Sequence, residues 1–290
     1  MKIRKPFVGI LAFMLVLFTM PLGHTLMILI EESYKYIGAT ALGMAGVILL
    51  LISTKYPGKE NAQTYLGLFA GLFIWTGFIE FSFVYAAEVL GVAPLMENGE
   101  IVTKPEYLIM PSSLGLLIAG VLYFFLDSQT RCNFFLTLKR WTGLNLPLGK
   151  VDKTKNYANI TAIETVFVIW LFYIVLLIAY DDRIAGDKHW ATYVVMAGSL
   201  VWSIYLITKL IKFKRMAPAI RYAIPTVVVF WNVVEILGRW NFFKEVWIEP
   251  EMYLLEVVLL AIGFVVALLL AFFLPQPSKY TNDNKPRMAA

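Results

Sequence analysis

Long apolar runs alternate with short polar breaks along the chain, and their length is one that a bilayer sets. A helix crossing a hydrocarbon layer ~30 Å thick needs about 20 mostly apolar residues. Eight runs meet that rule: Phe7 to Ile30, Ile37 to Ser53, Tyr65 to Leu90, Leu108 to Leu126, Ile160 to Tyr180, Trp190 to Phe213, Tyr222 to Phe243 and Tyr253 to Leu274. The predicted fold class is an all-α polytopic membrane protein with eight transmembrane helices. Lys2, Arg4 and Lys5 ahead of the first run imitate a secretory signal, but no Ala-x-Ala type site follows it, so the run is read as a retained span.

The runs fall into two tandem halves. Ala39 to Gly46 is matched by Ala191 to Gly198, Trp75 with Glu80 by Trp231 with Glu235, and the Lys104-Pro105-Glu106 stretch by Glu249-Pro250-Glu251. The matches keep their order, which predicts a duplicated chain. The organisation that follows is a first four-helix repeat over 1–127, a basic linker over 128–159, a second four-helix repeat over 160–274 and a polar tail over 275–290. Four helices per repeat is an even number, so both repeats have the same orientation. Ala39 with Gly46, and Ala191 with Gly198, lie seven apart on one helix face and predict close helix contact.

Composition agrees with the pattern: 59% of residues are hydrophobic and 16% charged, outside the range of an ordinary soluble domain. The 25 Lys and Arg against 20 Asp and Glu are unevenly placed. Most basic residues, including Arg131, Lys139, Arg140, Lys209, Arg215 and Arg221, lie in the amino terminus, the even-numbered loops and the carboxyl tail. That is the positive-inside pattern. It predicts an integral plasma (inner) membrane protein with both termini cytoplasmic and with the basic loops against anionic lipid; nucleic acid is a poor partner for such a surface. In the linker, Gly143, Pro147 and Gly149 break regular structure, and Thr161 with Glu164 has the spacing of a capping box.

Candidate chemistry is confined to a few polar groups. Glu80 and Glu235 stand inside apolar runs at matching depth, about 20 Å from the cytoplasmic ends at ~1.5 Å per residue. An ionisable group there is costly and marks a functional position. Thr76, Gly77, Val84 and Ala87 share the stripe of Glu80. Arg239 lies four residues beyond Glu235, a spacing that predicts an ion pair, whereas no Lys or Arg stands near Glu80 on its own helix. Glu88 and Glu256 lie nearer the outer ends of their helices, as a snorkelling acid and as an extra acid of the same cavity. Glu31, Glu32, Asp181, Asp182 and Asp187 form an acidic outer rim that would concentrate cations. His24 and His189 lie on that side, where a carboxylate and imidazole metal site is the sharper reading and a polar rim the plainer one. Pro21 and Gly23 predict a break before His24, with Thr25 to Tyr36 as an interfacial or re-entrant segment. Trp190, Trp231, Trp240, Trp247 and Tyr253 predict an interfacial aromatic belt.

Cys132 is the single cysteine, which excludes an internal disulfide and a thiolate metal site. Two histidines at helix ends do not supply a haem that spans the bilayer. No cofactor is required, a divalent metal or a quinone being the two that these groups would accept. The readings that survive are a carrier or ion-exchange protein for a proton or small cation, a cofactor-free and quinol-interacting subunit of a larger membrane complex, and an intramembrane acid-base enzyme acting on an apolar lipid or polyene. They are separated respectively by autonomous flux, by co-purification of a stable partner and by recovery of a bound apolar ligand.

Overall fold

A computed structural model describes residues 6–97, 100–127, 133–143 and 156–273, and for 31–33, 97, 100–102, 133–134 and 138 it describes the backbone alone. Cys132, the tail and much of the linker lie outside these residues, as do the side chains of Glu31 and Glu32. Among the described residues eight helices are long and apolar enough to cross a bilayer. The architecture is that of a polytopic helical membrane protein.

The helices in chain order are α1 (Phe7–Ser33), α2 (Lys35–Ser53), α3 (Glu60–Ile74), α4 (Phe81–Val89), α5 (Pro105–Ile109), α6 (Leu114–Leu126), α7 (Asn133–Trp141), α8 (Tyr157–Tyr180), α9 (Trp190–Leu210), α10 (Met216–Arg239) and α11 (Leu254–Phe273). A short antiparallel hairpin, β1 (Leu95–Glu97) and β2 (Glu100–Thr103), leads into α5. The third span is not one regular helix: a π-helical turn, Trp75–Glu80, joins α3 to α4. A 3₁₀ turn, Met110–Ser113, joins α5 to α6 in the fourth span. We call the end of the bundle where α1 begins the near face, and the end where α1, α8 and α10 finish the far face.

Three expectations about helix ends are corrected. α1 runs unbroken through Pro21 and Gly23 to Ser33, and Lys35 opens α2 directly, so Thr25 to Tyr36 is no separate re-entrant segment. A proline inside a membrane helix deletes one backbone bond, and packed neighbours tolerate that loss. The Thr161 and Glu164 capping box does not form, because α8 starts earlier: the Asn156 side chain accepts from the amides of Ala158 (3.0 Å) and Asn159 (3.2 Å), while the Thr161 hydroxyl donates to the Tyr157 carbonyl (2.7 Å). Residues 133–141, expected to be irregular linker, form α7, whose Phe135 is buried against Phe124.

The helices α3, α8 and α10 are the most enclosed spans, and α11 and the α5–α6 span the least. α1 packs on α10 and α11, α3 on α2 and α8, and α9 on α10. Apolar side chains gain little from meeting each other rather than lipid, so close backbone approach must supply contact. Gly67 and Gly71 provide it between α3 and α8: a β-carbon on Gly71 would stand 2.8 Å from the Ala162 carbonyl and the Thr165 side chain. Gly77 does the same against Ala39 and Gly43 of α2. The other half behaves differently, since Gly198 is exposed with open space around it.

Candidate functional site

Polar groups from α1, α5, α8, α10 and the segment after α10 converge on a cavity of about 430 Å³ near the far face. α10 contributes a stripe at four-residue spacing, Trp231, Glu235 and Arg239. α8 contributes Tyr173 and Tyr180, α5 contributes Tyr107, and α1 contributes His24. The segment after α10 reaches the cavity because of how the helix ends. Asn241 adopts φ 58°, its amide donates to the Gly238 carbonyl (2.7 Å), and the Phe242 amide donates to the Leu237 carbonyl (2.9 Å). This is a Schellman stop with asparagine in the left-handed position. The chain reverses there and lays Glu245 and Trp247 over the cavity, with the Glu245 carboxylate against the bare Cα of Gly238. The Thr25 hydroxyl, 3.5 Å from the Trp247 carbonyl, ties the segment to α1.

Glu235 Oε1 accepts from the Trp231 indole (2.6 Å) and lies 3.6 Å from His24 Nε2. The His24 ring is fixed by its other nitrogen: Nδ1 is 3.0 Å from the Met20 carbonyl, which only accepts, so Nδ1 carries a hydrogen. In the neutral ring Nε2 then accepts from the Tyr173 hydroxyl at 3.1 Å. Tyr173 has a second neighbour, the Tyr107 hydroxyl at 3.5 Å. His24 is thus part of the bundle interior, stacked beside Tyr173 and Trp231, and not of a surface rim.

Behind this cluster is a chamber of about 40 Å³, whose walls include Thr19, Leu72, Trp75, Thr76, Glu80 and Ile169. Its size admits a single water. His24 and Tyr173 line both the cavity and the chamber. Glu80 is 4% exposed and makes no hydrogen bond or ion pair among the described residues. The π turn that carries it is a wide turn of the kind found often at functional positions. Glu80 and Glu235 therefore face two compartments that share a wall, not one cavity.

The expected pair of Glu235 with Arg239 does not form. Arg239, in the last turn of α10, reaches outward: its Nε donates to Asp187 (2.5 Å), its guanidinium lies 4.3 Å from the centre of the Tyr180 ring, and Trp240 donates to the Asp187 carbonyl (2.8 Å). Asp187 is thereby committed to Arg239, while Asp182 is exposed and Asp181 is bonded to Arg183 (2.6 Å), whose guanidinium holds the Asp181 carboxyl below its usual range. Glu88 is exposed and bonds Lys35 and Tyr36; Glu256 is exposed and outside the cavity lining. His189 caps α9, its Nδ1 accepting from the Ala191 amide (3.4 Å). No group of three or more metal-binding side chains occurs among the described residues, and His24 and His189 belong to different places. The aromatic belt is likewise divided. Trp190 is exposed as a belt residue should be, but Trp231 and Trp247 are buried together, ring centres 5.1 Å apart, next to the cavity.

Glu245 escaped sequence reasoning, as did the tyrosine trio. Tyr173 and Tyr180, two helical turns apart in an apolar run, were the available sign for α8; nothing comparable marked Glu245. Burial, reinforced by Glu235 and opposed by His24 and Arg239, pushes the Glu245 carboxyl up to about 7. The folded protein therefore binds a proton that the unfolded chain has already released between the ordinary carboxyl range and pH 7, so stability falls as pH rises through that window. Thermal unfolding in detergent from pH 4.5 to 8 is expected to show that decline, and Glu245→Gln to flatten it. An unchanged slope in the variant would remove Glu245 as its source.

The chain matches no protein-family model, no curated protein and no solved structure.

Proposed function

We propose that the protein is a membrane carrier that exchanges a cation for protons, with the far-face cavity as its binding compartment and Glu80 as its internal coupling group. The observation that carries this reading is Glu80 itself, buried with no hydrogen bond or ion pair among the described residues and lining a chamber that shares His24 and Tyr173 with a polar cavity. A carboxyl group so placed is accommodated with a proton on it or a cation beside it. Glu235 and Glu245 would receive the ion from the far face. His24 Nε2 and the Tyr173 hydroxyl, each able to give and accept a hydrogen, would pass a proton to the chamber.

On this reading the far face is the outer side of the plasma membrane and both termini are cytoplasmic, as the basic loops favour. Two halves of like orientation are supported by the packing pairs. Interchanging the halves turns the contact of α1 with α10 into that of the third span with α8, and both contacts occur. The cation would bind between the halves, where the central helices meet.

Reconstitution in liposomes with an internal pH dye tests the proposal. A gradient of at least one member of a panel of sodium, potassium and alkylammonium salts is expected to drive proton movement. Glu80→Gln should abolish it, and Glu88→Gln, at an exposed acid outside both compartments, should leave it intact. Absence of proton movement with every cation would overturn the carrier, and full activity of Glu80→Gln would overturn the role of Glu80.

A further inference from the structure

The chemistry of the cavity says which kind of cation it suits. Two carboxylates face it from elements that the chain reversal at Asn241 brings together, Glu235 on α10 and Glu245 beyond it. Glu245 Oε1 is buried with no hydrogen-bond partner among the described residues. The described bonds of Glu235 all involve Oε1, so Oε2 also has acceptor capacity to spare. Neither carboxylate has its acceptor positions filled by a described side chain, so a ligand seated against them would bring donors. The Arg239 guanidinium is held by Asp187. Lys104 and Thr103 also line the cavity, Lys104 being engaged in an interaction of its own, and the wall between these polar groups is apolar or aromatic, with Met27, Leu176, Leu177 and Trp247.

We propose that the cavity binds a small primary amine, its ammonium group donating to Glu235 and Glu245 and its apolar body lying against Leu176, Leu177 and Met27. The assignment rests on the exchange reading of the same site and adds the substrate class to it. An ammonium offers three donors and no acceptor, which matches the surplus on the two carboxylates. Aromatic faces beside them favour a cation further. A volume of about 430 Å³ lies in the range of sites for small organic molecules. A quaternary ammonium has the charge without the donors and would leave the acceptor positions of the two carboxylates unfilled.

Binding by this geometry exchanges a proton. The step is Glu245–COOH plus R–NH₃⁺ giving Glu245–COO⁻ paired with R–NH₃⁺, and one proton leaves to the far-face solvent. The charged and titratable groups around Glu245 are Glu235 and Arg239 of α10, His24 of α1 and Tyr180 of α8, and the same cavity is lined by Tyr173 of α8, Tyr107 of α5 and Lys104 just before α5. Glu235 favours its protonated form, and an incoming ammonium reverses that effect.

Calorimetry on the full-length protein in detergent, with n-butylammonium as the probe, tests the proposal in two buffers of different ionisation enthalpy. Binding is expected with proton release close to one at pH 6 and small at pH 8, and tetramethylammonium should bind on the order of tenfold more weakly or worse. Glu245→Gln should weaken butylammonium on the order of tenfold to a hundredfold and remove the proton release, and Glu235→Gln should weaken it by a similar factor. Glu249→Gln, at an exposed position outside the cavity, should do neither. No binding of butylammonium, equal binding of tetramethylammonium, or unchanged proton release in Glu245→Gln would each overturn the assignment. Because the readout is binding, failure is separable from that of the carrier: amine binding without flux would leave the site and remove transport, and sodium-driven flux without amine binding would do the reverse.

Discussion

Arg221→Ala is expected to lower the stability of the protein in detergent by about 3 kcal/mol, the lower part of the range for breaking a buried ion pair. At the near face Glu60 opens α3 and is buried, and Arg221 on α10 holds it through Nη2 at 2.6 Å while Nη1 donates to Thr64 at 2.7 Å. The same guanidinium lies 4.7 Å from the centre of the Tyr157 ring at the start of α8, whose amide donates to Gln63 Oε1 at 3.1 Å. Three of the enclosed helices are pinned at one point. Arg215 also bonds Glu60, and this keeps the loss from being larger, because the acid retains one cation. Arg221→Lys keeps the charge but not the planar fork, so a smaller loss is expected. Glu60→Ala combined with Arg221→Ala should cost less than the sum of the single changes, since each removes the partner that the other strands. Thermal unfolding of the four proteins checks this, and additive losses would show that the pair is not a coupled unit.

The clamp also marks what a sequence conveys and what it hides. Spans are legible because a bilayer imposes one length and one polarity on every crossing, and all eight expected runs correspond to helices in the structure. Their internal irregularities are less legible. A π turn at Trp75–Glu80 packs on α2, and no residue type announces it. Arg221 looked like one more cation of a cytoplasmic surface, because charge counts carry no information about which carboxylate a long side chain will find. Pro21 pointed to a break that packing overrode.

The candidate site divides along the same line. Glu80 and Glu235 stood out as carboxylates in apolar runs, and both line compartments in the folded chain. Their relation did not follow from depth, since equal depth says nothing about a shared wall of His24 and Tyr173. Helical spacing pairs Arg239 with Glu235, yet Arg239 sits in a final turn, where a long side chain can leave the helix and meet a loop acid such as Asp187. Glu245 was hidden because its position depends on an asparagine in a left-handed conformation four residues earlier, a tertiary consequence of a local stop.

Gly77→Ala is expected to destabilise the fold by about 2–3 kcal/mol through overpacking and to suppress proton-coupled flux, whereas Gly198→Ala should be neutral or stabilising by up to about 1 kcal/mol through helix propensity. A β-carbon at Gly77 would press on the Gly43 backbone, with Cα at 2.8 Å, and on the Ala39 carbonyl, neither of which can rotate away. Relief requires α2 to move off the π turn, and Glu80 ends that turn, so the chamber deforms with it. Gly46, the counterpart of Gly198 under the expected duplication, is intermediate: a β-carbon there would lie 2.9 Å from the Ala70 carbonyl and from the Ile74 side chain. The small residues matched between the halves thus serve a close crossing in the first half and an open, exposed surface in the second. Unfolding temperatures of the three alanine variants, with flux measured in the same preparations, test the contrast. Equal effects of Gly77→Ala and Gly198→Ala would mean that the crossing of α2 with the π turn does not hold Glu80 in place. Loss of flux in Gly77→Ala at a temperature where the variant remains folded would tie the geometry of that crossing to the coupling role proposed for Glu80.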